Sequence, residues 1–337
     1  MPKKVFVHSE NFVLENGSHL AGFELAYQTW GTRNADDSNI IWVCHALTAD
    51  ANVEQWWPGL FGKDCTLDPD KYFIICANML GSCYGSTNAL SINPATNEAY
   101  YHSFPNLTNR DIVRAFDALR QALNINKVKL ILGGSTGGQH ALEWAIMHPA
   151  RFEYLIPIAA NALHSPWGIA FNETQRMAIA VDSTWPSNSP EAGMEGMKAA
   201  RAAALLSYRS YEAYELSQKE ADNSKSDNFR ASSYQQYQGE KLANRFHAFS
   251  YWTLSKAMDS HNVGRGRGSI AEALKLIRAQ TLVLAIDSDI LFPPNEQKTI
   301  ADGIKDARFE IVRSTKGHDG FLIEFEALNQ LIKAFLK

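Results

Sequence analysis

Ser135 lies in Gly133-Gly134-Ser135-Thr136-Gly137-Gly138, between the apolar run Lys129-Leu130-Ile131-Leu132 and a segment with helical spacing from Gln139 to Ala145. Strand, sharp turn and helix in that order hold a hydroxyl out at the edge of a sheet, with the positive end of a helix behind it. Glycines on both sides keep side chains out of the turn and supply backbone angles that other residues resist. A serine hydroxyl is a weak nucleophile at neutral pH. It needs a base, usually histidine, and the histidine needs an orienting carboxylate. On such a sheet the partners follow in the order Ser, Asp, His, each in a loop after a strand. Asp287-Ser288-Asp289 follows the apolar run Thr281–Ile286, and Lys316-Gly317-His318-Asp319-Gly320 follows residues 308–312. Of the ten histidines, His318 alone sits in a glycine-flanked loop after the last strand. Asp287 and Asp289 are both open as the orienting acid. An oxyanion needs two backbone N–H donors. Thr136 supplies one at the helix start, and the loop His45-Ala46-Leu47-Thr48 supplies the other, with Leu47 as its candidate. His45 itself reads as a structural histidine bonded to backbone.

The elements that must position these groups are legible in the pattern. Residues 3–30 alternate and carry Asn16-Gly17 as a turn signal, so they read as antiparallel strands and hairpins. Continuous apolar runs at 39–45, 72–77, 129–132, 154–159 and 281–286 read as strands buried on both faces. Thr108 to Leu123 has helical spacing, with Thr108 as cap and Asp111 three residues on. Alternating strands and helices imply a mostly parallel sheet flanked by helices. Between about 165 and 280 there is no strand-like run. Helical stretches at 168–182, 191–218 and 235–260, a polar loop at 222–233 and the basic turn Gly264-Arg265-Gly266-Arg267-Gly268 fill it, and a final helix spans about 320–336. The chain therefore divides into an α/β core, 1–164 and 278–337, and an inserted all-helical lid, 165–277.

Composition narrows the classes. A chain of 337 residues with net charge −4 gives no basic surface for nucleic acid or an anionic membrane. No apolar run approaches a membrane span. Met1-Pro2-Lys3-Lys4-Val5 leads into alternation rather than an apolar stretch, so no signal peptide is expected. Cys44, Cys65, Cys76 and Cys83 lack metal spacing and fit a reduced, cytoplasmic protein, with Cys44 and Cys76 as buried thiols.

Several motifs together resemble one family. His45-Ala46-Leu47-Thr48, Gly81-x-Cys83-Tyr84-Gly85-Ser86-Thr87, Ser91-Ile92-Asn93-Pro94, Gly133-Gly134-Ser135-x-Gly137-Gly138, Ala141-Leu142-Glu143-Trp144-Ala145, Tyr237-Gln238-Gly239-Glu240-Lys241, Ser288-Asp289-x-Leu291-Phe292-Pro293-Pro294 and Gly317-His318-Asp319 are similar to the homoserine O-acetyltransferases, of the α/β-hydrolase superfamily. The resemblance covers nearly the whole chain. It implies an α/β-hydrolase fold with a helical lid, and a triad of Ser135, Asp289 and His318, choosing Asp289 over Asp287. It also implies an amino-acid site made by Arg201, in Gly196-Met197-Lys198-Ala199-Ala200-Arg201, and by Asp319. A guanidinium forks onto a carboxylate, and a carboxylate holds an ammonium. Arg176, in Asn172-Glu173-x-x-Arg176, is a second candidate. The implied reaction is a ping-pong transfer of acetyl from acetyl-CoA, as co-substrate and without a cofactor or metal, to L-homoserine for methionine synthesis, by a homodimer joined through lid helices. Rival readings are succinyl-CoA as donor, serine as acceptor, an ester or thioester hydrolase, or a non-catalytic binding module. The sequence departs from the family at Thr136, commonly Met, at Ala49, commonly Gly, and at Met197, commonly Leu. The first two bear on the acyl pocket.

Overall fold

The computed structural model describes residues 3–337. Met1 and Pro2, part of the stretch read as lacking a signal, lie outside the described residues. The N-terminal region forms β1 (Lys4–His8), β2 (Phe12–Val13), β3 (His19–Leu20) and β4 (Phe23–Trp30). The core continues with β5 (Ile40–Cys44), α1 (Val53–Trp56), β6 (Phe73–Ala77), β7 (Ile92–Asn93), β8 (Glu98–Ala99), α2 (Asn109–Ala122), β9 (Val128–Gly134), α3 (Thr136–Met147) and β10 (Phe152–Ile158). Six helices follow: α4 (Pro166–Ala180), α5 (Met194–Tyr208), α6 (Tyr211–Gln218), α7 (Arg230–Ala243), α8 (Ala248–Asp259) and α9 (Ile270–Leu274). The sheet resumes with β11 (Gln280–Ile286), α10 (Pro294–Gly303) and β12 (Arg308–Val312), and α11 (Phe325–Phe335) closes the fold.

Eight strands make one sheet in the order β1-β4-β6-β5-β9-β10-β11-β12. The pairs β1–β4 and β4–β6 are antiparallel, and the rest are parallel. Every residue of β5 is buried, as a strand covered on both faces must be. Ile40 and Trp42 face one layer, with Phe116 of α2, Trp144 of α3 and Ile300 of α10; Ile41 and Val43 face the other, with Trp57 and with Leu328 and Ile332 of α11. Thr108 caps α2 in a reciprocal box with Asp111. The strand order turns back on itself between β5 and β9, and a parallel sheet opens a crevice at the carboxyl ends of its strands at such a point. In register, Cys44 faces Gly133, so the loop carrying Leu47 and the turn carrying Ser135 leave the sheet side by side.

The helical block lies between β10 and β11. Its helices cross closely because two positions lack side chains: a Cβ at Gly196 of α5 would lie 2.4 Å from the Ala178 carbonyl oxygen of α4, and one at Gly239 of α7 would lie 2.7 Å from the Lys198 carbonyl oxygen of α5. The stretch read as helical over 191–218 is two helices, because Arg209 and Ser210 leave the helix and the Ser210 hydroxyl accepts the Ala213 N–H to start α6. The polar loop read over 222–233 ends earlier, at Phe229, where α7 begins. The final helix starts at Phe325, after a 3-10 turn over Gly317–Leu322. The short hairpin β7–β8 and helices α1, α9 and α10 have too few periodic residues to stand out in the sequence. Cys44 and Cys76 are buried free thiols, and Cys65 and Cys83 are free and partly buried. Among the described residues no helix is long and apolar enough to cross a membrane.

Candidate active site

Ser135 follows β9 directly and is held at φ 59°, ψ −130°, a backbone conformation that side-chain-bearing residues seldom adopt. Its N–H donates to the Ile158 carbonyl at 2.9 Å, which ties the strained turn to β10. The flanking glycines are required by contact. A Cβ at Gly137 would lie 2.1 Å from the Cys44 carbonyl oxygen, one at Gly133 would meet the backbone of Gly137 at 2.5 Å, and one at Gly134 would enter the Phe321 ring.

The loops after β11 and β12 bring two further groups to this turn. His318 Nε2 lies 2.9 Å from Ser135 Oγ, and His318 Nδ1 lies 2.6 Å from Asp289 Oδ2. With Nδ1–H donating to the carboxylate, Nε2 is left to accept the serine proton. Asp289 Oδ1 accepts the N–H groups of Leu291 and Phe292 at 2.8 and 2.9 Å, so the second oxygen alone is offered to the histidine. All three side chains are buried. The His318 ring stacks on Phe292, with centroids 5.0 Å apart, and meets Phe321 edge-on at 5.2 Å. Asp287, the other acid after β11, instead accepts the Ser314 N–H at 2.8 Å and braces the strand ends.

Leu47 lies in the loop that follows β5, and Thr136 opens α3 next to the serine. Their N–H groups take part in none of the hydrogen bonds found among the described residues. For Thr136 this follows from its place at the head of a helix, where the first N–H groups have no carbonyl to bond. The Leu47 loop is pinned by its histidine. His45 Nδ1–H donates to the Ala46 carbonyl at 2.8 Å, and Nε2 accepts the Met79 N–H at 3.1 Å. Burial lowers the His45 pKa and keeps the ring neutral, so it is a brace.

The helical block brings Tyr208 of α5 against His318, with Arg201 beside it. The Arg201 guanidinium lies 5.1 Å from the Tyr208 ring, whose centroid is 5.9 Å from that of His318. Arg201 Nε is buried with no hydrogen-bond partner, and among the described residues Arg201 forms no ion pair. Asp319 adjoins His318, and its side chain is 15% exposed. Burial raises its carboxyl pKa, against the opposing pull of Arg209, Arg201 and His318. Arg176 is engaged elsewhere, bonded to Glu173 at 2.7 Å, to Asp259 at 2.5 Å and to Ser255 at 3.1 Å. Arg209, which no sequence signal singled out, makes an ion pair with Asp319. Two open surface depressions of about 580 Å³, one lined by Phe12, Arg114 and His148 and the other by Asp287 and Arg313, do not include Ser135. The serine lies instead under the helical block.

Residues 39–325 match the alpha/beta hydrolase fold family. A homoserine O-acetyltransferase from Cyclobacterium marinum is 50% identical over 335 residues, covering 99% of this chain and 95% of that protein. Among solved structures, a homoserine O-acetyltransferase from Bacillus anthracis superposes with a TM-score of 0.92 at 24% identity, covering 100% of this chain and 97% of that one. An acetylester hydrolase from Corynebacterium glutamicum superposes at 0.88 with 23% identity, covering 99% and 96%. The two superpositions speak for the fold.

Proposed function

The chain belongs to the homoserine O-acetyltransferase family of α/β-hydrolase enzymes, and we propose that it moves an acetyl group from acetyl-CoA to the side-chain hydroxyl of L-homoserine. The observation that carries this reading is the placement of an unpaired guanidinium, Arg201, and a partly buried carboxylate, Asp319, around the base of a hydrogen-bonded Ser135–His318–Asp289 line. A hydrolase needs the triad but has no use for a zwitterion site beside it.

In the first half-reaction His318 Nε2 takes the Ser135 proton as Oγ attacks the thioester carbonyl. The Leu47 and Thr136 N–H groups meet the oxyanion as it forms. The C–S bond breaks as the CoA sulfur takes that proton from His318, so CoA leaves as its thiol, the base is neutral again and acetyl-Ser135 remains. L-Homoserine then binds with its carboxylate on Arg201 and its ammonium on Asp319. His318 removes the proton of its side-chain hydroxyl, which attacks the acetyl carbon, and the base passes that proton to Ser135 Oγ as the serine ester bond breaks, restoring the free serine. In this scheme the chain's own groups handle every proton, and acetyl-CoA enters as a co-substrate, so no cofactor or metal is invoked. The lid covering Ser135 keeps water from the acyl-enzyme. O-Acetyl-L-homoserine would serve methionine synthesis in the cytoplasm. The exposed apolar side chains Leu206, Tyr211 and Leu216 on α5 and α6 suit a homodimer joined through the lid.

A matrix of acetyl-CoA and succinyl-CoA against homoserine and serine, read by CoA release and mass spectrometry, tests the assignment. CoA release that depends on homoserine, with O-acetylhomoserine as product, is the expected result. Free acetate formed at one rate with or without homoserine would favour the hydrolase reading.

A further inference from the structure

Arg209 ends α5, and its Nε lies 2.8 Å from Asp319 Oδ2, as a close ion pair without the alignment of a hydrogen bond. The two residues come from different layers, the break between two lid helices and the loop that carries the base. Two further contacts fix that junction. The Ser210 hydroxyl donates to the Thr315 carbonyl. Gly317, at φ +68°, lets the backbones touch: a Cβ there would lie 2.7 Å from Ser210 N and 2.8 Å from the Arg209 carbonyl carbon. The point where Arg209 leaves the main chain is thus set by the base loop itself.

The charges around Asp319 divide the work. Burial disfavours its anion, as does Asp289, while Arg209, Arg201 and His318 favour it. Tyr208 and Tyr214 face the same carboxylate as neutral phenols. Among the described residues Arg209 alone forms an ion pair with Asp319, and Arg201 is left without an anionic partner. Two guanidinium groups around one carboxylate leave one positive charge uncompensated, which suits an incoming amino-acid carboxylate.

We propose that Arg209 is a positioning residue of the acceptor half-reaction: it holds the Asp319 carboxylate in place as an anion, one oxygen engaged and the other open to the acceptor's ammonium. The proposal rests on the functional reading above, which makes Asp319 the ammonium site. Arg209 touches neither substrate; it acts through Asp319.

Arg209→Gln tests this by splitting the two half-reactions. CoA release in a single turnover of acetyl-CoA without acceptor stays at the wild-type rate. The KM for homoserine rises about tenfold or more, as loss of a charged partner does. The acidic limb of kcat/KM for homoserine moves to higher pH, because the carboxyl then loses its main stabilising cation. Arg209→Lys gives a KM between the two, since lysine keeps the charge but not the planar, pre-organised group that sets Nε beside Asp319 Oδ2. In an Asp319→Asn background Arg209→Gln adds no further loss. A wild-type KM and pH profile in Arg209→Gln, equal losses in both half-reactions, or additive losses in the double variant would each overturn the proposal. Should the Gln variant not fold, an unchanged homoserine KM in Arg209→Lys overturns it. The wild-type arm keeps the two levels apart: an enzyme that releases CoA but never acetylates homoserine overturns the functional reading and the proposal together.

Discussion

Gly137 faces Cys44 with room for a hydrogen alone, its absent Cβ falling 2.1 Å from the Cys44 carbonyl oxygen. The first turn of α3 therefore rests on the end of β5, and the serine turn and the Leu47 loop are one contact unit. Gly137→Ala drives a methyl carbon into the Cys44 carbonyl, which neither the helix nor the strand can relieve. We expect it to cost about 1–3 kcal/mol or more and to abolish activity in the fraction that still folds. Gly17→Ala, with φ +86° but open space around it, is the control and carries backbone strain alone, about 1–2 kcal/mol. Urea midpoints compare the two; equal midpoints would sink the close-contact explanation.

Ser135→Ala keeps the fold, since the hydroxyl bonds only His318 among the described residues. Its activity should fall by about 10⁴-fold or more. Intact-protein mass spectrometry after acetyl-CoA alone should show one added acetyl group on wild type and none on the variant. An acetylated Ser135→Ala protein would place the nucleophile elsewhere.

Asp289→Asn and Asp287→Asn separate the two acids after β11. Asp289→Asn offers His318 the wrong partner for its Nδ1–H and should lower kcat by about 10⁴-fold. Asp287→Asn can still accept the Ser314 N–H through its amide oxygen and should stay near wild type. Steady-state CoA release on both variants checks this, and the reverse ranking would exchange their roles.

Asp319→Asn should trade stability against acceptor binding. Burial raises this carboxyl above its ordinary 3.8, so between the two values the folded chain keeps a proton that the unfolded chain has lost. The stabilising neutral form is present at low pH and is lost as pH rises through the raised value. At neutral pH the amide should therefore melt at the same or a higher temperature than wild type, with the difference disappearing in acid. The KM for homoserine should rise about tenfold or more. A clear drop in melting temperature at neutral pH would contradict the burial argument.

Buried histidines should contribute to the acid limit of the fold. Burial lowers His164 and His261 from 6.5 to about 3 and His247 to about 4. Between those values and 6.5 only the unfolded chain binds the proton, so stability is full above 6.5 and falls with acidification. Each histidine contributes at most about 1.4 kcal/mol per pH unit. His247 also caps α8 by accepting the Ser250 N–H on Nδ1, which protonation ends. Thermal melts across this range should drop steeply from just below pH 6.5. A flat profile down to the carboxylate range would show that these rings are solvated.

What could be read from the chain alone follows the range of the forces involved. The serine turn was legible because its glycines, strand and helix are contiguous, and all eight sheet strands are apolar or alternating runs. Asp287 and Asp289 were not separable by spacing, because their difference lies in partners: Ser314 comes from beyond β12, while Leu291 and Phe292 shape the turn locally. Arg176 and Arg201 looked alike as helix arginines. What occupies Arg176 includes Asp259, 83 residues away, which no local pattern announces. Arg209 was hidden inside a stretch read as one helix. Ser210 was the available signal, since a serine before a new helical period is a start mark.

Ser135 and His318 are 183 residues apart in the chain, with the whole helical block between them. During synthesis Ser135 emerges first, then six helices, and only near the end the two strands that carry Asp289 and His318. Until β11 and β12 join the sheet, β9 is already flanked by β5 and β10, but the Ser135 hydroxyl lacks the two side chains aligned with it. Synthesis thus delivers the serine turn and the helical block first, and a chain that stops short of β11 carries Ser135 without either of its aligned partners.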